Sequence, residues 1–388
     1  MKKDQEIIKQ NNIKLFLDAL LENRPAPRIE LAKKTNMSPT SITRIASLLI
    51  SKGFIVETDT FSKGIGRHAI MLDTVKNSAY SIGIDIKSHL LRFAIIDFHK
   101  DCVATKSEKY NIYNYSIEEL ANIIYEETLN FLSEHHIAYE KIIGIGVSIP
   151  GIIDNRTNII SFSTQLQWKN QDIAKFLQPL FKKPIVVEND AKARVIGEKH
   201  INKIPNNVDC AMLIIGNGVS SAALSQGKLV RGFDNAAGEI GHITLEPNGI
   251  LCDCGNKGCI QTRLSDKFLI RTAKQSDNSI DCLEDILTAY YENKDWAKDI
   301  VSHFKYSFTL ALNILEGCYN PVAIIASGHV VETMEPILKD CIKDFIQSKS
   351  NHINVMITKD VNNVAATGSA IIASDMFITN LIGDLNYI

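Results

Sequence analysis

The most specific chemistry in this 388-residue chain lies in GHITLEPNGILCDCGNKGC, residues 241–259. His242, Cys252, Cys254 and Cys259 are spaced H-x9-C-x-C-x4-C. Three thiolates and one imidazole make a closed tetrahedral zinc set, and Gly255 and Gly258 supply the tight turns that let the sulfurs converge on one ion. With four protein ligands there is no open position for an activated water, so the expected Zn2+ is structural and metal-assisted hydrolysis is disfavoured. A disulfide is the rival. Cysteines one residue apart cannot easily pair, and a reducing compartment would keep a longer pair open, so zinc is favoured. The other five cysteines, Cys102, Cys210, Cys282, Cys318 and Cys341, are scattered through apolar or helical stretches and read as reduced core residues.

Gly238-Glu239-Ile240-Gly241-His242, followed by Cys-x-Cys-Gly-x-x-Gly-Cys, resembles the ROK family of sugar kinases and repressors, and the resemblance covers nearly the whole chain. The family's repressor branch, of the xylose-repressor and N-acetylglucosamine-repressor type, carries an N-terminal winged helix with a Gly-x-Gly-Arg wing, matched here by Gly64-Ile65-Gly66-Arg67. The resemblance implies an actin-like (ribonuclease H-like), two-lobed α/β fold of the sugar-kinase type. It also implies that Asn189 and Asp190 in Glu188-Asn189-Asp190-Ala191 bind sugar hydroxyls, Asp190 standing where the kinases have their general base. Vicinal hydroxyls both donate and accept, so a carboxylate beside an amide, opposed by Glu239, suits them. A helix cap is the plainer alternative for Asp190. His242 would touch both zinc and sugar, and Ser148-Ile149-Pro150-Gly151 resembles the loop that closes over the sugar, with Gly151 as its contact.

Departures from the kinase pattern bear on activity. Family kinases carry Asp-x-Gly-Gly-Thr-Lys after the first strand, where glycine amides approach the ATP phosphates. This chain reads Asp85-Ile86-Lys87-Ser88-His89, and both glycines are gone. The second phosphate loop keeps only part of its glycine content in Gly216-Asn217-Gly218-Val219-Ser220-Ser221-Ala222, which obstructs close backbone approach to a phosphate. The adenosine-side Gly-Gly is reduced to Ser327-Gly328. No useful kinase activity is expected, although Asp85 and Asp190 survive. The family's Cys-x-Glu, whose carboxylate contacts sugar, reads Cys259-Ile260-Gln261. Gln261 can donate as well as accept, which brings a sugar phosphate or a modified sugar into range as the ligand.

Elements that position a DNA reader occupy the first 75 residues. Ile13, Phe16, Leu17 and Leu20 recur at helical spacing, and Pro25 and Pro27 end that helix. A short helix over Ile29 to Lys34 meets Thr35-Asn36-Met37, where Asn36 suits a left-handed turn. Ser38 then caps, Pro39 suits the first helical position, and Ile42, Ile45, Leu48 and Leu49 form one buried stripe. Ser38, Thr40, Ser41, Thr43 and Arg44 lie at the tip of this third helix, where a recognition helix meets the major groove. Phe54 to Glu57 and His68 to Leu72 read as a hairpin wing, with Arg67 placed to enter a minor groove or bridge phosphates. A three-helix bundle that binds protein is the alternative.

From Ala79 the texture becomes alternating strands and helices: Tyr80 to Ile84, Leu91 to Asp97, a helix over Ile117 to His136, then strands at Ile142 to Ser148, Ile185 to Val187, Ala211 to Ile215 and Val322 to Ser327. No internal repeat or low-complexity linker is visible. The expected domains are residues 1–75 for DNA, 79–200 as a first α/β lobe, and 201–388 as a second lobe with the zinc loop and dimerisation helices.

No apolar run approaches the roughly 20 residues of a membrane helix, and the polar start MKKDQEIIKQNN does not read as a secretory signal, so a cytoplasmic protein is expected. Residues 1–75 hold 12 Lys/Arg against 8 Asp/Glu and the remainder 30 against 36, a modest asymmetry that suits a DNA-binding head on an acidic body. The resulting expectation is a non-enzymatic sugar-responsive repressor, bound as a homodimer or homotetramer to an inverted-repeat operator and released by a sugar or sugar phosphate held between the lobes. The alternatives are an ATP-dependent sugar kinase with a DNA-binding appendage and a repressor controlled by a transporter-protein partner.

Overall fold

The computed structural model describes residues 2–58, 70–154, 156–205, 208–349, 353–359 and 363–381. Helix α1 (Lys2–Asn23) stops two residues before Pro25. A two-residue strand β1 (Ala26–Pro27) leads into α2 (Arg28–Thr35), and Asn36, at φ 53°, reverses the chain toward α3 (Pro39–Ser51). Ser38 Oγ accepts from the Ser41 amide at 3.2 Å, satisfying one of the amides a helix start leaves open. Ile13, Phe16, Leu17, Leu20, Leu31, Ile42, Ile45 and Leu49 are buried together, as their spacing predicts.

Strands β2 (Ile55–Thr58) and β3 (Met71–Thr74) pair antiparallel from Ile55↔Thr74 to Thr58↔Met71, and β1 adds to β3. The expected strand start at His68 lies outside the described residues; β3 begins at Met71. Residues 59–69, which include Gly64, Gly66 and Arg67, lie outside the described residues. The small N-terminal core does not stand apart from the body: Ala79, Phe98 and Ile143 are buried with it, and the Phe54 and Phe98 rings sit 5.2 Å apart.

The body holds two five-stranded sheets. The first contains β4 (Tyr80–Lys87), β5 (Leu90–Asp97), β6 (Cys102–Glu108), β7 (Ile142–Ile149) and β11 (Ile185–Asn189); the second contains β12 (Cys210–Ile215), β13 (Val219–Ser225), β14 (Lys228–Leu229), β15 (Ala323–Ser327) and β16 (Asn354–Thr358). Their orders are β11-β7-β4-β5-β6 and β14-β13-β12-β15-β16, and in each the first strand of an antiparallel meander also pairs in parallel with a later strand, β7 on β4 and β15 on β12. A third, smaller sheet is formed by β8 (Ile152–Asp154), β9 (Ile159–Ser163) and β10 (Trp168–Gln171). The helices are α4 (Ile117–Glu134), α5 (Ile173–Phe181), α6 (Asp190–Ile201), α7 (Gln261–Leu264), α8 (Asp266–Lys274), α9 (Leu283–Tyr291), α10 (Asp295–Tyr319), α11 (His329–Ser348) and α12 (Val364–Leu381). Among the described residues no helix is long and apolar enough to cross a membrane.

The contacts divide the chain elsewhere than at residue 200. One unit comprises Met1–Ile149, Gln171–Glu188 and Ala366–Ile388; the other comprises Pro150–Asn170 and Asn189–Ala365. The first unit takes back α12 because β4 and β7 present glycines to it: a Cβ on Gly83 would lie 1.7 Å from the Ala366 carbonyl oxygen, and one on Gly146 would lie 1.9 Å from that of Ser369. Ser369 Oγ in turn donates to the Gly146 carbonyl at 3.2 Å.

Candidate functional site

The cysteine loop of the second unit is a folded knuckle. Leu245 and Glu246 N–H both donate to the Gly258 carbonyl, at 2.7 and 3.1 Å, and Ile260 N–H donates to Ile243 at 2.9 Å, which lays the strand carrying Cys259 beside the one that follows His242. At the tip, Cys252 N–H donates to Asn256 at 2.8 Å and Gly255 N–H to Cys252 at 3.0 Å. Gly258 is required twice: its φ is +68°, and a Cβ there would sit 1.6 Å from the Glu246 carbonyl oxygen. Arg263 binds both carboxylate oxygens of Glu246, at 3.3 and 2.8 Å, and ties the knuckle to α7.

The ligand atoms of His242, Cys252, Cys254 and Cys259 all lie within 4.8 Å of one another. Cys254 Sγ is 3.6 Å from Cys259 Sγ, and Cys252 Sγ is 3.8 Å from His242 Nδ1. A tetrahedral ion with metal–sulfur bonds of about 2.3 Å sets its sulfurs roughly 3.8 Å apart, so this donor set can hold a metal ion. Burial and the adjoining thiols push the Cys259 thiol up to about 12, since three thiolates this close repel unless a cation sits among them.

The residues expected to meet a sugar cluster beside the knuckle. Asn189 ends β11, and both ends of its side chain are anchored: Oδ1 accepts from the Lys192 amide at 3.1 Å as the cap of α6, while Nδ2 donates to the Gly151 carbonyl at 2.9 Å, which leaves a second N–H and a second lone pair on the amide. Gly151, at φ +139°, has the Phe162 carbonyl 2.4 Å from where a Cβ would stand. Asp190 opens α6, and its Oδ1 accepts from the Ala191 amide at 3.0 Å. Glu239 rides between two glycines that lie flat on β13, because Cβ atoms on Gly238 and Gly241 would meet the Ser221 and Val219 carbonyls at 2.0 and 2.2 Å. Burial raises the Glu239 carboxyl above its usual range; His242 and Lys192 pull it down and Asp190 pushes it further up. Asp190, Glu239, His242 and Lys192 therefore share one electrostatic neighbourhood.

Gln261, expected at the ligand, is also anchored by the protein. It is buried, its Oε1 accepts from the Val219 amide at 3.2 Å, and its Nε2 points at Cys252 Sγ from 3.8 Å. A buried amide must satisfy both ends, and here the protein supplies both partners. Lys192 was not anticipated. It is buried and its ammonium donates to the Asn235 carbonyl at 2.5 Å, while Asn235 Nδ2 donates to Ile153 at 2.8 Å. Nothing in the run Asp190-Ala191-Lys192-Ala193-Arg194 distinguishes it from an exposed charged helix face.

The loops that depart from the kinase pattern carry side chains paired with one another. In the first unit Asp85 is fully buried, accepts from Ser148 Oγ at 2.9 Å, and has the Lys87 ammonium at 3.6 Å and the Arg92 guanidinium at 3.8 Å. Arg92 is its direct cross-strand partner. In the second unit the His329 ring lies 3.1 Å from where a Gly216 Cβ would be, and its Nε2 meets Asp266 Oδ2 at 2.8 Å. The bond to Asp266 raises the His329 imidazole above its usual value.

In α3, Thr40, Thr43 and Arg44 are exposed, and Ser41 is half-buried. The exposed Ser38 hydroxyl is engaged as the helix cap, and Thr43 Oγ1 donates back to the Pro39 carbonyl at 2.9 Å.

The ROK family model matches residues 81–376. The xylose repressor of Bacillus spizizenii is 25% identical over 380 residues, spanning 97% of this chain and 98% of its own, and the transcriptional dual regulator NagC of Escherichia coli is 24% identical over 353 residues, spanning 87% and 86%. The crystal structure of a ROK transcriptional regulator, a homologue of the E. coli MLC protein, superposes with a TM-score of 0.81 at 21% identity over 97% of this chain and 99% of its own. A ROK hexokinase from Thermus thermophilus superposes with a TM-score of 0.66 at 20% identity, over 76% of this chain and 97% of its own. The two-sheet α/β fold is thus the one that ROK kinases and ROK regulators share, and the chain belongs to the ROK family.

Proposed function

We propose that this ROK chain is a sequence-specific DNA-binding repressor of sugar-utilisation genes, with α2 and α3 as a helix-turn-helix, the β2–β3 hairpin as its wing, and a sugar or sugar phosphate as the inducer. The observation that carries this reading is coverage. The Bacillus spizizenii xylose repressor and the ROK regulator structure extend over 97% of the chain and NagC over 87%, whereas the hexokinase reaches 76% and the family model begins at residue 81. What the kinases lack corresponds in length to the N-terminal helices and hairpin. Arg67 stays in the proposed DNA surface with Ser38, Thr40, Ser41, Thr43 and Arg44. The inducer is assigned to Gly151, Asn189, Asp190, Glu239 and His242, all within the second unit. A homodimer on an inverted repeat follows from the symmetry of helix-turn-helix readers. The pairing of Asp85 with Lys87 and Arg92, and the His329 ring on Gly216, argue against the kinase alternative.

The test is a mobility shift with the chain's own upstream DNA, repeated against a panel of sugars and sugar phosphates. Release by one member supports the reading and names the inducer. Binding indifferent to all of them points to a protein partner, and sugar-dependent ADP formation without operator binding would return the kinase. Arg44→Ala is expected to weaken operator binding by about 5- to 150-fold, the span of one good base contact, with a smaller loss on scrambled DNA. An equal loss on both sequences would make Arg44 a phosphate contact only.

His242, Cys252, Cys254 and Cys259 are proposed to hold a structural zinc, whose chemistry when bound is to cross-link the knuckle and orient the imidazole. One zinc per chain is expected by elemental analysis, and Cys259→Ser should lose most of it. At a free zinc concentration 1,000 times the dissociation constant the ion adds about 4 kcal/mol, so stripping it should lower the unfolding midpoint by roughly 8–16 °C. A midpoint indifferent to chelation would remove zinc from the structural account.

A further inference from the structure

We propose that Gln261 is a positioning residue for the metal: its amide N–H donates to the Cys252 thiolate while its carbonyl holds the first amide of β13, linking the metal loop to the turn that carries Glu239. This inference rests on the zinc reading above. Gln261 is 7% exposed and opens α7, two residues after Cys259, so its backbone is fixed by the loop it would support. Nε2 stands 3.8 Å from Cys252 Sγ, within the range of an N–H···S bond, and Oε1 stands 3.2 Å from the Val219 nitrogen. Gly218 leaves room for the amide, since a Cβ there would lie 3.3 Å from Oε1.

Val219 is the next link. Its carbonyl lies against Gly241, and two residues on the Ser221 amide donates to Gly238 at 2.8 Å, so the Glu239 turn is seated on the strand start that Gln261 holds. The contacts run from sulfur through one side-chain amide to the backbone under the Glu239 turn. Chemistry selects glutamine over glutamate for this link. A thiolate bound to a cation keeps excess negative charge, which an N–H donor stabilises and an ionised carboxylate repels. Either side chain could accept from Val219, but only the amide serves both partners. The residue that the sequence assigns to the ligand thereby acts on the ligand through the metal loop.

The experiment uses the full-length protein and its Gln261→Glu and Gln261→Met variants, each loaded with Co(II) and, separately, with zinc. The readouts are the sulfur-to-cobalt charge-transfer band and the equilibrium transfer of zinc to a competing chelator, with the far-UV spectrum as a check on folding. Gln261→Glu keeps an acceptor for Val219 and replaces the donor to sulfur with a carboxylate oxygen, while Gln261→Met removes the donor without adding charge. Gln261→Glu is expected to hold zinc about 10- to 100-fold more weakly, the usual span for loss of an outer-shell partner, and to shift the band to longer wavelength. Gln261→Met should shift the band in the same direction. Parent-like zinc retention and band position in both variants would overturn the inference and leave the zinc reading intact. A parent protein that forms no thiolate–cobalt band would overturn both.

Discussion

Asp190→Ala protein will stay on its operator at inducer concentrations that release the parent. Asp190 is the first residue of α6, and one of its carboxylate oxygens already accepts from the Ala191 amide, which aims the group from the end of β11. Glu239 and Asp190 are close enough to raise the Glu239 carboxyl, and both share that surrounding with His242 and Lys192. Hydrogen bonds to a charged acceptor contribute about 1.5–3 kcal/mol each, so losing two of them at the ligand should raise the inducer concentration for half-release by about 100-fold or more. Operator affinity without inducer should hold, because Asp190 belongs to the second unit and α3 to the first. An inducer acts only through its differential affinity for two states, and a variant that cannot bind it leaves the operator-bound state as the parent has it. The measurement is a mobility shift titrated with inducer, accompanied by a thermal melt; loss of the first-turn acid costs the helix about 0.3–1 kcal/mol. Half-release at the parent concentration would mean that Asp190 is a helix-start residue and nothing more.

What could be read from residues and what could not divide along physical lines. The knuckle was readable because metal ligation needs particular atoms at short spacing, and Gly255 and Gly258 announce the turns. The α2–α3 corner was readable for the same local reason: Asn36, Ser38 and Pro39 each satisfy a backbone requirement within four residues. Lys192 and Arg194 were not readable as buried, because α6 is buried on nearly every side, Glu198 and Lys199 included, and its polar groups are satisfied by partners distant in sequence such as Asn235 and Thr358. The place of Gln261 in a motif points only to a ligand, and its bonds to a sulfur and a backbone amide were not readable because only folding brings those partners to it. The two five-stranded sheets share one strand order without a sequence repeat, since a strand order constrains only alternation and burial. The division expected at residue 200 presumed that neighbours in sequence stay together; the return of α12 to the first unit depends instead on where two strands leave room for it.

That room makes the last prediction. Gly83→Ala should be among the most destabilising single-methyl additions in the chain. The new Cβ would stand 1.7 Å from the Ala366 carbonyl oxygen and 2.8 Å from the Ala370 nitrogen, and both are backbone atoms that cannot rotate away. Either β4 bends or α12 lifts, and lifting α12 also breaks the Ser369 bond to Gly146 and the contact of Asp375 with Lys100, 2.7 Å at Oδ1. Overpacking of this kind costs about 1–3 kcal/mol where side chains can adjust, and a backbone collision belongs at or above the upper end, which corresponds to a midpoint lower by roughly 6–12 °C. Gly317→Ala is the matched control: it lies near the end of α10 with nothing within 4 Å of its Cβ position, so the same methyl should be neutral or stabilise by up to about 1 kcal/mol. Differential scanning calorimetry of both variants tests the packing. The sheet-to-α12 contact carries further weight because the buried cluster of the N-terminal helices includes Phe98 and Ile143 and has Phe377 packed against it, so α12 also packs against the N-terminal helices of the same unit. A Gly83→Ala protein that still melts like the parent would mean that α12 is held loosely against β4.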